Sequence, residues 1–474
     1  NIAWDGHLWE DYIFDVSEIT EELTRRTAEF SNSSVTITFK NHPIQVNGIT
    51  YDYLILLKDD SPLYGAKVEI YYHYSEAVQG TNAELVFVGH LYTPQEITLE
   101  TFEIEASSRI DWLNEMVDLE SIPLDWEGMT HLEAGIGSSQ TDGIEIAHTS
   151  NVNKSKFTTP CKIDNEEIYF TGINHDHDDT SNYNCTLTGV TRGYNSTTPA
   201  THNTNATVYS RQGSPISGNT AYAPLGVAIT RPDGLIKWWL CEVMGFSLST
   251  EIDSTSFDAA GTTYTSLSYQ IYLKCISKDD DAIDVLVALL FSCRSIAYYR
   301  GGKWYLRVLP DVTPESPDRT IYQDEVTNDE KCFIYGETDR DDKKNYLTAY
   351  YEKSVSAETG YDHTVELDGS GSGTAYKEDI YFPYCTNATQ ADDVADLHLL
   401  CRGEVLQVVE FETFYRHNNV AVGMTIQLTS TRAQRIADGM PLVAPCLWDG
   451  AKYFVEKTER DRDKIKIFAV SWWG

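Results

Sequence analysis

The sequence predicts a mainly β protein with minor α content, divided among several domains. Two observations carry this. Short segments alternate apolar and polar residues with a period of two, the signature of half-buried strands, and Gly, Pro, Asn and Asp cluster between them as turns. The chain has 474 residues, too many for one ordinary core, and at roughly 100 to 200 residues per domain it divides into about three or four units.

In chain order, the first unit reads as a small antiparallel barrel over residues 1–134, part of it returning near 212–230. Its strands are Ser34 to Asn41, Lys67 to Tyr74, Glu84 to Leu91 and Thr101 to Ala106. Asp15 to Thr27, with a polar start and Glu-rich spacing, predicts a short helix among them. From 135 to 211 the composition shifts to Asn, Thr, Asp and Gly with sparse strand-like apolar residues, which predicts an inserted β module. A third unit, 212–318, opens with a Gly, Ser, Asn and Pro linker. It continues with an amphipathic helix at Asp233 to Met244 after Pro232, and a second helix at Asp279 to Cys293 with three Asp at its positive end. A hairpin follows around Gly301-Gly302, which supply the positive φ of a tight turn. The last unit, 319–474, resembles the first: strands around one helix, Gln390 to Gly403, with a mobile loop expected over Val355 to Tyr376.

The charge excludes one class of function. With 36 Lys plus Arg against 72 Asp plus Glu, the formal net charge is −36, which opposes stable nucleic-acid binding because that affinity rests on cationic neutralisation of phosphates. Hydrophobic residues make up 41% and aromatics 12%, enough apolar surface for folded cores. The longest apolar stretch, Ala282 to Phe291, is interrupted by Asp284, so no membrane span is expected. The first residues lack the basic and apolar blocks of a secretory signal, and the expectation is a soluble protein made in a cytoplasm.

Candidate chemistry is sparse. His175, Asp176, His177 and Asp178 alternate imidazole and carboxylate and are the candidates for a divalent cation, although consecutive short side chains on a loop are more often solvated. The nine cysteines show no CxxC and read mostly as buried small apolar residues. Cys161 and Cys185 flank a hairpin-like segment and form the one pair whose placement suggests a bridge. Carboxylates crowd Asp164 to Glu167, but with 72 acids such pairs arise by chance, and no nucleophile, P-loop or dinucleotide element accompanies them. The expectation is no catalytic residue, no enzyme and no cofactor. Trp238, Trp239, Trp304, Trp472 and Trp473 are candidates for a subunit interface.

The insert carries the most specific pattern. Lys162-Ile-Asp-Asn-Glu-Glu-Ile-Tyr-Phe170, Leu187-Thr-Gly-Val-Thr-Arg-Gly193, Thr197 to His202 and Ala206-Thr-Val208 follow one another in a fixed order. This order resembles a β module widespread in phage tail and tail-fibre proteins, with Asn195-Ser-Thr where that pattern has Gly-Thr and Asn205 where it has Gly. The resemblance implies that Asp164, Glu167, Arg192, Gly193 and His202 are scaffold residues of the module. The flanks, Ser34 to Asn41 with Phe87 to Leu91, Gly301 to Leu306, Ala391 to Ala395 and Val422 to Leu428, are similar to segments of phage tail hub proteins related to gene-transfer-agent hubs. That resemblance implies two baseplate-hub barrels, an inserted β module and a small α/β region. It also implies a homotrimer of pseudo-sixfold symmetry. Its partners would be a distal tail or tube protein, a tail-tip spike or fibre protein and, as a further candidate, the tape measure protein.

Overall fold

A computed structural model describes residues 2–4, 7–9, 13–24, 27–32, 34–41, 43–46, 49–52, 63–73, 83–114, 117, 125–147, 161–175, 184–194, 197–213, 215, 217, 219–224, 228–273, 280–310, 316–322, 325–327, 334–338, 343–353, 361–369, 374–403, 405–414, 417, 419–429, 450–461 and 464–472. The chain is mainly β, with helices confined to a few segments. Among the described residues no helix is long and apolar enough to cross a membrane.

Alternation builds the first sheet. Val35 and Ile37 face inward and Thr36 and Thr38 outward on Val35–Lys40, and Phe102, Ile104 and Ala106 do the same on Thr101–Ser108. The strand order is Ile13–Val16, Val35–Lys40, Thr101–Ser108, Ala83–Leu91, Lys67–His73, all antiparallel. Its core gathers Ile19, Val35, Ile37, Phe87, Leu91, Phe102, Ile104 and Ala106.

The helix expected over Asp15 to Thr27 is corrected to strands. Ile19, Glu21 and Leu23 are buried alternately along Ile19–Thr24, which folds back on Glu29–Asn32 and also pairs with Lys452–Arg460 near the other end of the chain. Burial of Glu21 completes the period of two. Its carboxylate accepts from Arg460 Nη1 at 2.6 Å and from the Thr458 hydroxyl at 3.2 Å, both buried.

The insert holds two sheets around its own core. One runs Asp125–His131, Thr207–Gly213, Cys161–Ile163, Glu166–Tyr169, Thr191–Tyr194, and the other Ile144–Ala147, Asn184–Thr188, Gly172–His175. Leu132, Ile136, Ile144, Ile146, Cys161, Ile163, Ile168, Phe170, Cys185, Leu187 and Val208 pack together as a separate cluster. Cys161 and Cys185 are both buried free thiols, so the suggested bridge is corrected to two small apolar core residues. Burial pushes the Cys161 thiol up to about 12.

The central region is helical. Pro232–Trp238 passes directly into a π-helical turn, Trp239–Val243. Asp281 caps Ala282–Phe291 by accepting from the Ile283 N–H at 2.9 Å. Ser254–Leu267, a helix not expected from the sequence, buries Phe257, Ala260, Gly261 and Tyr264 at helical spacing and is capped by Asp253. The hairpin Ser295–Arg300 and Lys303–Val308 turns at Gly301 and Gly302, with φ of 54° and 76°. Trp238, Trp239, Trp304 and Trp472 all belong to the core of this region, and Trp239 Nε1 donates to the Ala282 carbonyl at 3.0 Å. The interface role expected for these four is corrected: burial within the chain leaves them no surface to offer. Trp473 lies outside the described residues.

In the last third, a sheet runs Arg319–Tyr322, Thr425–Thr429, Lys452–Arg460, Lys464–Ser471, Gln407–Phe414, Ile334–Glu337, with its first pair parallel. Its core includes Val409, Phe411, Ile426, Leu428, Tyr453, Val455, Ile465 and Ile467. A second, three-stranded sheet, Tyr361–Asp368, Tyr346–Lys353, Lys377–Phe382, packs with Ala388–Gly403 in the central core. The loop expected over Val355 to Tyr376 is corrected in part, because Tyr361–Asp368 is a full strand whose Val365 and Leu367 pack on that core. Residues 354–360 and 370–373 lie outside the described residues.

Candidate functional site

Among the described residues, the motif residues concentrate in one place, inside the insert. Strand Glu166–Tyr169 follows a tight turn in which Asp164 takes a φ of 52°. The alternation that buries Ile168 also buries Glu166 and turns Glu167 away. Gly193 has a φ of 65°, and a Cβ there would sit 2.7 Å from both Pro199 Cδ and the Thr197 carbonyl, so only glycine fits.

Glu166 is the hub of the network. Arg192 engages it with both faces of a fork, Nε to Oε1 at 2.6 Å and Nη2 to Oε2 at 2.7 Å. The backbone N–H of Gly193 donates to Oε1 at 3.0 Å and that of Ala200 to Oε2 at 2.8 Å. His202 Nε2 lies 2.8 Å from Oε2, and its Nδ1 lies 2.7 Å from Asp164 Oδ2. Arg192 spends its other donors on carbonyls, Nη1 on Gly137 at 2.8 Å and Gln140 at 3.0 Å, and Nη2 on Ala200 at 2.6 Å. The His202 backbone exchanges both bonds with Ile136, at 2.9 and 3.0 Å.

A buried ion pair is weak evidence for stability unless its remaining polar atoms are satisfied. Here every N–H of the guanidinium and both carboxylate oxygens are engaged, the condition under which a buried polar network rigidifies its surroundings. Burial would raise the Glu166 carboxyl, but the Arg192 fork, the Ala200 N–H, His202 and the Gly193 N–H outweigh it and hold the group at about 2. A carboxylate held this low and surrounded this fully neither exchanges protons near neutrality nor reaches a substrate. The arrangement does fasten three loops, 137–140, 164–166 and 197–202, to one point.

The sequence-derived residues distribute as follows. Asp164, Arg192, Gly193 and His202 come together. Glu167 does not join them; the carboxylate that does is its neighbour Glu166, which the sequence reading missed and which the parity with Ile168 would have identified. The Glu167 N–H donates instead to the Thr197 hydroxyl at 3.0 Å. His175 ends strand Gly172–His175, but its side chain and Asp176, His177 and Asp178 lie outside the described residues. Among the described residues no group of three or more His, Cys, Asp or Glu is placed to hold a metal ion.

No protein-family model matches the chain, and no curated protein sequence matches it. Among solved structures it is similar to a prophage tail protein from Shewanella oneidensis, at 9% identity over 98% of this chain and 95% of that one, with a TM-score of 0.38. It is similar to a tail protein from Neisseria meningitidis at 10% identity, over 72% and 92% of the two chains, with a TM-score of 0.33. A chain of a native gene transfer agent virion is similar at 11% identity, over 77% and 91%, with a TM-score of 0.37.

Proposed function

We propose that the chain is a structural subunit of a phage tail, the hub at which the tube ends. Three copies form a ring in which two β units per chain present six near-equivalent faces. That ring adapts a sixfold distal tail or tube protein to a threefold spike or fibre protein, with the tape measure protein as a further neighbour, and forms part of the DNA-ejection channel. The units follow the division read from the sequence, 1–134, 135–211, 212–318 and 319–474, except that the insert widens to 125–213, where its first sheet begins and ends. A closed ring of this kind needs heterologous contacts that return on themselves, which paired units in one polypeptide supply. The acidic chain suits a channel past which DNA slides without sticking.

The observation that carries this reading is the buried network of the insert. Of the positions named from a module pattern found in phage tail proteins, Arg192, Gly193 and His202 converge in this chain on Glu166 and Asp164 joins through His202, while Glu167 stays outside. Two sheets with separate cores, one near each end of the chain, support the second half of the reading. Sedimentation equilibrium of the purified protein, alone and with its tail neighbours, tests it. Three chain masses are expected; a strict monomer that never joins purified tails would sink it.

One observation favours a second reading, a receptor- or glycan-binding role. Tyr350, Tyr361 and Tyr381 cluster on the outward face of the three-stranded sheet, with ring centroids 5.3 to 6.3 Å apart. Aromatic rings beside carboxylates suit sugars. A glycan array that stays blank with the intact chain removes this alternative.

A further inference from the structure

The usual alternation is inverted in a turn of the first sheet. In Glu96-Ile97-Thr98-Leu99-Glu100, part of the turn that joins Ala83–Leu91 to Thr101–Ser108, the polar residue is tied to the protein and the apolar residues face water. Leu99 is 89% exposed and Ile97 54%. A single exposed leucine is ordinary surface. Two large apolar side chains held at fixed spacing on one turn are not, because burial in the monomer gains nothing from them.

The turn is rigid. The Thr98 hydroxyl accepts from the backbone N–H of Thr101 at 2.9 Å and of Glu100 at 3.2 Å, and donates to the Thr101 carbonyl at 2.8 Å. Buried Asn41 grips it from the next strand, Nδ2 to the Thr98 carbonyl at 2.7 Å and its backbone N–H to the Glu100 carbonyl at 2.6 Å. Gln95 and Glu103 exchange both backbone bonds, at 2.7 and 3.0 Å. A preformed turn loses little ordering entropy on binding.

Charge selects the occupant. Glu96 and Glu100 flank the apolar pair, and Glu103 and Glu105 continue the acidic line on the outward side of Thr101–Ser108. Packed against the same turn of a second copy, Glu96 and Glu100 would meet their own kind, acid against acid. We propose that this turn is a docking knob for a different protein: Leu99 and Ile97 seat in an apolar socket whose rim carries lysine or arginine facing Glu96 and Glu100. An apolar anchor inside a polar rim is the arrangement in which few residues carry most of the binding energy. The inference rests on the tail reading for where that protein is found, among the other components of the assembled tail.

Incorporation of p-benzoylphenylalanine in place of Leu99, followed by irradiation of purified tails and mass spectrometry, tests it. The expected result is a cross-link from position 99 to a different protein, on a peptide bearing Lys or Arg. Leu99→Asp should keep the melting temperature of the free protein and fall about tenfold or more in tail incorporation. A cross-link to another copy of this chain, or undiminished incorporation of Leu99→Asp, would overturn the docking knob. Absence of the unsubstituted chain from purified tails would overturn the tail reading, and this inference with it.

Discussion

Two buried ion pairs hold this molecule in different ways. Glu166 and Arg192 meet at 2.6 Å across 26 positions of sequence, inside a module with its own core. Glu21 and Arg460 also meet at 2.6 Å, but across 439 positions, where a strand near the start of the chain lies beside one near its end. The bond lengths are the same and the surroundings are not. Glu166 is engaged by the Arg192 fork, two backbone N–H groups and a histidine, whereas Glu21 shares Arg460 with Thr458 Oγ1 and the Val420 carbonyl. The first pair fixes the shape of one module, and the second joins distant parts of the chain. Contact distance alone therefore says little about what a buried pair does.

The contrast breaks most sharply on removal of one partner. Glu166→Ala strands a buried guanidinium and should cost about 3–5 kcal/mol, confined to the insert. Native-state hydrogen exchange should show protection lost over 125–213 and kept elsewhere within about 0.5 kcal/mol; a loss spread evenly over the chain would contradict the autonomy of the insert. Arg460→Met leaves Glu21 with a single hydroxyl and should cost about 3 kcal/mol, this time lowering the main thermal transition. Adding Glu21→Leu should restore most of it, and a double variant as unstable as the single one would show that the pair is not an isolated unit.

Acid sharpens the comparison. His398, buried between Phe291 and Phe382 with neither ring nitrogen hydrogen-bonded, is pushed down to about 3 by burial and by Arg402. Because the folded value lies below the unfolded one, the unfolded chain binds the extra proton first. The central core should therefore be at full stability above about 6.5 and lose on the order of 1 kcal/mol per pH unit as the pH falls from there toward 3. The contribution of Glu166, whose folded value is also depressed, is complete above about 4.5 and lost only as the pH falls through about 2. Between pH 6 and 4 the helical region should weaken while the insert holds, and His398→Leu should flatten that dependence. Identical acid profiles for the wild-type and His398→Leu proteins would rule this out.

Gly193→Ala is the smallest expected effect, about 1–3 kcal/mol within the insert, from a left-handed backbone and a Cβ placed 2.7 Å from Pro199 and the Thr197 carbonyl. A circular-dichroism melt of the variant that matches the wild type would mean that the 197–200 loop yields freely.

What the sequence could reveal follows the range of the forces involved. Helix Ala282–Phe291 was legible because its cap, Asp281, and its apolar face are neighbours, and the Gly301-Gly302 hairpin because a turn is a local matter. Ile19–Thr24 was not. Ile19 and Leu23 suit a helix as well as a strand, and Glu21 shows itself as an inward residue only once Arg460 stands opposite it. Helix Ser254–Leu267 hid behind its hydroxyls, which bond back to the preceding turn, Thr262 to the Asp258 carbonyl at 3.0 Å and Thr265 to that of Gly261 at 2.7 Å. Within the candidate site, four of the residues named from sequence converge, while the choice between Glu166 and Glu167 depends on strand parity, which the count of acids obscures. The tryptophans were ambiguous for another reason: a large aromatic stripe reads alike whether it packs inside one chain or between two.

The insert leaves and rejoins its host on adjacent strands, with Asp125 directly opposite Gly213. The two ends of the insert sit only about 5 Å apart, so the rest of the chain is indifferent to what hangs beyond them. A module that enters and leaves at one spot can be exchanged, enlarged or deleted there, with a short turn closing the gap, while the other cores of the chain stay the same.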